Sequence, residues 1–309
     1  MQTNNAFRCC FHCDLIYEAQ PLPTFALCEP AKYESVNDNA DVAIPESPLF
    51  CPGLDFRNLL NEERCSSTTC GLLRDMRDLT DLFLAQSTAL EPVGDATDVH
   101  VACSPSNEVY YKTRVAGICD RLANLPSAYT PDHPNSCDWV YEACRLSATI
   151  YTTSIVRRLP FSVAATSSRY PFCVQAGALN EPYSSQIALT THICEELMQT
   201  LERTDLANVW NDMVGVLYWI CTVGAAAARS PRLSGLSQRL PYSTTCKFRV
   251  RQCLTMFSVR AHVILIFNHP IPILLSQKKL LRVQELIGTY RQGRNTKQSP
   301  GTSLESTGL

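Results

Sequence analysis

The chain has 309 residues, 45% of them hydrophobic and 18% charged, enough for one large domain or two small ones. That apolar fraction excludes a wholly disordered chain, and 12 Gly with 19 Pro exclude collagen-like repetition. No uninterrupted run of about 18 apolar residues occurs, so no membrane-spanning helix is expected. The longest apolar stretches, residues 214–228 and 263–275, read instead as buried segments.

The net charge of −2 hides an asymmetry. Residues 229–309 carry thirteen Lys/Arg against two acids, Glu285 and Glu305, a net of +11. The preceding 228 residues hold fourteen basic and twenty-seven acidic side chains, a net of −13. An acidic body is thus joined to a basic tail. A basic tail can bind phosphate backbones through counterion release. Here the cations are scattered among apolar residues and prolines, with Lys278-Lys279 the densest spot, so DNA contact by the tail is not the favoured reading.

Sixteen cysteines need a compartment. The polar start Met1-Gln2-Thr3-Asn4-Asn5 is followed by no apolar secretory segment, and no Asn-x-Ser/Thr occurs. The expectation is reduced, mostly buried thiols in a cytosolic or nuclear protein.

Residues 1–50 read as a linker-like arm, with prolines at 21, 23, 30, 45 and 48. The first helical period covers residues 72–83, where Leu72, Met76, Leu79 and Phe83 recur at i, i+4, i+7 and i+11. Arg74, Asp75, Arg77 and Asp78 fill the opposite face, expected to be solvated and joined by short-range ion pairs. A second helix is expected over Glu108–Asn124, then a loop from Pro126 to Asn135. Ser136 or Asp138 can cap a third helix, carrying Trp139, Ala143, Leu146 and Ile150 on one side and stopped by Pro160.

Past a looser stretch, Ser184 or Ser185 can start a fourth helix through Ile187, Ile193, Leu197 and Leu201. Asp205 can cap a fifth, from Leu206 to about Arg229. The fifth is apolar nearly all round, which places it at the centre, and its run Val223-Gly224-Ala225-Ala226-Ala227-Ala228 lets neighbours approach closely. Lys247–Phe267 shows no helical period, and residues 291–309 read as disordered. The predicted fold is all-α, a bundle of five or more helices over residues 51–230, between the N-terminal arm and an atypical basic tail at 231–309.

Chemistry-bearing motifs are sparse. Cys10-Phe11-His12-Cys13 has zinc-type spacing but no second pair, and no basic residue lies between Asp14 and Ala31 as a DNA-gripping zinc cluster requires. His192 and Glu196 could share a helix face as a metal pair, without His-Glu-x-x-His. Ser276-Gln277-Lys278-Lys279 matches Ser-x-x-Lys but lacks its companion motifs. No Gly-x-Ser-x-Gly, phosphate-binding Gly-rich loop or Rossmann fingerprint is present. No catalytic, cofactor-binding or metal residue is therefore assigned, and the chain is not expected to be an enzyme.

Three strings resemble the fungal-specific transcription factor domain: Leu72-Leu73-Arg74-Asp75-Met76-Arg77-Asp78-Leu79-Thr80; Tyr141-Glu142-Ala143-Cys144-Arg145-Leu146-Ser147-Ala148-Thr149-Ile150-Tyr151; and the stretch from Leu206 to Ile220, ending in Val223–Arg229. Ser47-Pro48-Leu49-Phe50-Cys51-Pro52 fits the usual lead-in. The resemblance implies an all-helical regulatory domain of a nuclear zinc-cluster-type transcription regulator, without cofactor or catalysis. Its implied partners are proteins of the transcription machinery or a small effector; it allows a homodimer and involves no membrane. The zinc cluster itself is absent, so DNA contact would need a module outside this chain.

The helices expected after the Ala-rich segment are unrecognisable in the sequence. Cys246-Lys247-Phe248 is encodable as TGT-AAG-TTT, which contains GTAAGT, so the tail reads in part as translated intron or frame-shifted exon. Two other readings stay open: a helical protein-interaction scaffold outside transcription, and a metal-dependent helical enzyme using Cys10, Cys13 and His192.

Overall fold

In a computed structural model, residues 45–52, 56, 59, 65–88, 105–166, 193–206, 209–210, 212–229 and 243–296 are described. Residues 1–44 of the expected 1–50 arm, the Cys10/Cys13 pair, the predicted start of the fourth helix and residues 297–309 lie outside them, whereas 45–50 form a structured turn and 291–296, read as disordered, are helical. Eight helices are described: α1 (Ser67–Thr88), α2 (Pro105–Ala123), α3 (Trp139–Arg157), α4 (Phe161–Ala164), α5 (Ile193–Glu202), α6 (Val214–Ala227), α7 (Ser243–Asn268) and α8 (Pro270–Thr296). Among the described residues no strand is formed, and the fold is all-α as expected.

The apolar stripe predicted for α1 is the buried one: Leu72, Met76, Leu79 and Phe83 all lie in the core. Its charged face differs from expectation. Arg77 and Asp78 do pair locally at 2.6 Å, but Asp75 binds Arg121 of α2 and Asp81 binds Lys279 of α8, so this face clamps two neighbouring helices.

Asp138, rather than Ser136, caps α3, accepting from the Tyr141 N–H at 2.9 Å. Arg158 ends the helix in the left-handed region (φ 54°), and Pro160 opens the single turn of α4. The loop before α3 is stapled to it by two side chains. The Tyr141 hydroxyl donates to the Pro126 carbonyl, and buried Glu142 accepts from Ser127 Oγ and the Ala128 N–H.

α6 lies at the centre, buried from Val214 through Gly224 and in contact with α3, α4, α5 and α7. It begins at Val214, eight residues later than predicted. Asp205 does not cap it, and the N-cap Met213 offers no side-chain bond. The intervening residues form turns, pinned where the Trp210 indole donates to Thr204 Oγ1 at 2.9 Å. The expected close approach occurs at Gly224, where a Cβ would fall 2.7 Å from Leu197 of α5 and 3.1 Å from Leu254 of α7.

The tail departs most from expectation. Lys247–Phe267 is helical throughout and lies within α7, which packs along α6. Its inward residues are Val250, Leu254, Ser258, Ala261, His262 and Leu265, at helical spacing, but half of them are small or polar. Meanwhile Met256, Val263, Ile264 and Phe267 stay exposed. Hydrophobicity therefore does not follow the turn of the helix, which is why no period is visible in the sequence. Residues 263–275, expected to be buried, are for the same reason largely exposed. Pro270 and Pro272 do not break α8 because they occupy its first turn, where no backbone N–H is needed.

Candidate functional site

Residues 47–50 form a tight turn in which the Ser47 and Phe50 backbones bond reciprocally at 2.8 and 3.0 Å, with Pro48 at its second position. Ser47 Oγ accepts from the N–H groups of Leu49 and Phe50, and Leu49 is buried. The turn is held from beneath by Gly215, where an added Cβ would stand 2.7 Å from the Glu46 carbonyl oxygen. Bare backbone at that position of α6 is what lets the lead-in lie flat on the body.

The anchored turn forms one wall of a groove of about 500 Å³. Leu49, Phe50, Cys51 and Pro52 face Leu275, Lys278, Lys279 and Arg282 of α8, with Leu84 of α1 between them. The floor is apolar and the α8 side is cationic. Lys279 is held by Asp81 at 2.7 Å and Arg282 by Glu285 at 2.9 Å, while Lys278 is exposed and has no ion-pair partner among the described residues. Burial pushes the Cys51 thiol above its ordinary range, against the opposing pull of a Phe56 backbone bond and the Arg77 guanidinium, so it is not an activated nucleophile. An apolar floor with a cationic edge suits an occupant that pairs apolar surface with negative charge.

The other thiols divide: the contact with Cys65 lowers the Cys70 pKa, while burial raises several others. Burial holds the Cys144 and Cys221 thiols protonated and raises Cys119 to about 11. Cys51, Cys65, Cys70, Cys119, Cys137, Cys144, Cys194, Cys221 and Cys253 are free thiols, and six of these nine are buried. Ser276, of the Ser-x-x-Lys match, gives its hydroxyl to the Pro272 carbonyl, and Lys279 is taken by Asp81. Among the described residues no group of three His, Cys, Asp or Glu is placed to hold a metal ion; Cys10, Cys13 and His192 lie outside them.

The three strings singled out in the sequence meet in the core. Tyr151 ends the second string and is fully buried. Its hydroxyl bonds Thr80 Oγ1, the last residue of the first string, at 2.8 Å. Thr80 donates in turn to the Met76 carbonyl, so Tyr151 is the donor. The Tyr151 ring meets the edge of Trp219, from the third string, at 5.7 Å and lies parallel to Phe161 at 6.0 Å. Burial keeps the phenol far above its ordinary pKa, so this is a structural hydroxyl.

Lys278-Lys279 and the 47–52 lead-in are both visible in the sequence, but nothing there brings them together. The groove exists only because α8 folds back against α1. No family model, curated protein or solved structure matches this chain.

Proposed function

We propose that this chain is the regulatory domain of a fungal zinc-cluster-type transcription regulator, a nuclear binding module rather than an enzyme, acting through protein partners or a small effector. The observation that carries the reading is the meeting of Thr80, Tyr151 and Trp219. Each comes from a different one of the three strings that resemble the family, and the three side chains close one core contact. The contact puts the three strings in one core, which is what a common fold for them requires.

The groove supports the same reading, since it supplies an apolar, cation-edged surface next to the lead-in. An occupant that prefers one arrangement of the lead-in over α6 shifts the population toward it, and the shift is the signal.

The full chain fused to a heterologous DNA-binding module tests this in fungal cells. Reporter expression is expected to change on fusion, and a Lys278→Glu, Leu275→Ser double variant at the groove should alter that change. The chain alone should give no sequence-selective gel shift. A reporter indifferent to the fusion, or selective DNA binding by the isolated chain, would overturn the proposal.

A further inference from the structure

Exposed apolar side chains are concentrated at one place on the described surface. Val263, Ile264, Phe267, Ile271, Leu274 and Leu275 lie within thirteen residues of one another, and Phe267 is 82% exposed. Single exposed apolar residues are ordinary, but a contiguous cluster marks a contact surface.

One hydrogen bond defines the shape of this region. His262 Nδ1 lies 3.0 Å from Gln277 Nε2. In a straight helix residues fifteen positions apart stand about 22 Å apart. α7 and α8 therefore fold back on each other, with His269, the single residue between them, at the apex. Phe267 and Ile271 flank the apex, and the other four apolar residues form the turn behind. One turn further back stand Arg260 and Lys278, both exposed, each nine positions from His269. From residue 248 to 284 there are six Lys/Arg and no Asp or Glu.

Phe248–Asn268 is, among the described residues, the one helix long and apolar enough to cross a membrane. It cannot do so in this fold, because Leu254, Ala261 and Leu265 on its inner face are committed to the core. Only the apex is free.

We propose that the α7–α8 apex is a peripheral contact site for an anionic lipid bilayer, with the apolar tip entering the interface and Arg260 and Lys278 meeting lipid phosphates. The dimensions agree: interfacial elements sit about 5–10 Å deep, and seven residues of helix place Arg260 about 10 Å behind Phe267. Charge selects the occupant. A second copy of this face would set cations against cations, whereas an anionic surface neutralises them. The protruding Phe267 also fits a deformable interface better than a flat protein surface. This departs from the sequence expectation of no membrane, and it does not depend on a role in transcription.

Co-sedimentation of the full chain with vesicles tests the site. Binding is expected to vesicles of phosphatidylcholine with phosphatidylserine and not to phosphatidylcholine alone. Phe267→Ser should weaken it about tenfold or more, and Arg260→Glu with Lys278→Glu should abolish the preference for anionic lipid. All three side chains are exposed, so helix content by circular dichroism should be unchanged. Absence of vesicle binding, binding that Phe267→Ser leaves intact, or an oligomer that Phe267→Ser converts to monomer would each overturn the proposal, the last by assigning the face to a second copy.

Discussion

Replacing Glu142 by Gln is the sharpest test of how this fold is held together. Glu142 is fully buried on α3, and its two oxygens receive four bonds, all from donors. Oε1 accepts from Ser127 Oγ (2.8 Å) and Arg145 Nη2 (2.7 Å); Oε2 accepts from the Ala128 N–H (2.9 Å) and Arg145 Nε (2.9 Å). A Gln has the same shape, but either orientation turns its NH2 against an N–H of Arg145. Ser127 can rotate to accept, whereas the guanidinium and the backbone amide cannot.

Breaking a buried pair by neutralising one partner costs about 3–5 kcal/mol. For an ordered body of this size that is a fall in Tm of roughly 6–20 °C. The control is Asp75→Asn, which breaks the more exposed pair to Arg121 and should cost about 1 kcal/mol or less. Acid adds a second signature. Burial alone would raise the Glu142 pKa, but Arg145, Ala128 and Ser127 together hold it below its ordinary value of 4.5. The pair's contribution is thus complete above about pH 4.5 and is lost as pH falls through the lower folded value, a loss the Gln variant cannot show. Thermal unfolding of both variants between pH 3 and 7 reads all of this. A Glu142→Gln protein as stable as Asp75→Asn would refute the reasoning.

Other perturbations follow from single contacts. Gly215→Ala drives a Cβ to 2.7 Å from the Glu46 carbonyl, a backbone atom that must move. Denaturant melts should show a loss of about 1–3 kcal/mol, with proteolysis newly admitted near residues 45–52. Asp138→Ala removes the α3 cap and should cost ~1 kcal/mol in the same assay. Burial among Gln277, the Tyr218 ring and the α7–α8 seam holds the His262 pKa below 6.5. Protonation is then easier in the unfolded chain, so stability should be level above pH 7 and fall as pH drops through about 6.5; His262→Leu should flatten that limb.

What could be read from the sequence depended on whether apolar residues tracked the helix. In α1 they do, and Leu72, Met76, Leu79 and Phe83 could be named as core without coordinates. In α3 the Asp138 cap and the Pro160 stop mark both ends. In α7 the inward stripe includes Ser258, Ala261 and His262, which are stabilised by partners from other helices: Ser258 by Thr222 at 3.0 Å, and His262 by Gln277. No local pattern announces such partnerships. The groove was hidden for the same reason, since Lys278 and the 47–52 turn are more than two hundred residues apart in the chain. Even the Arg/Asp face of α1, readable as amphipathic, kept back its targets Arg121 and Lys279.

The order of elements along the chain bears on how the protein is made. α6 is apolar on every side, and the helix that covers it most fully, α7, follows it. When the ribosome has released the chain only as far as Arg229, a fourteen-residue helix that tolerates no water has some of its neighbours but not its largest one. Until Leu254 closes over Gly224, that nascent surface is a natural target for chaperones. A polypeptide ending before α7 would carry the same sticky strip permanently and would be prone to precipitate.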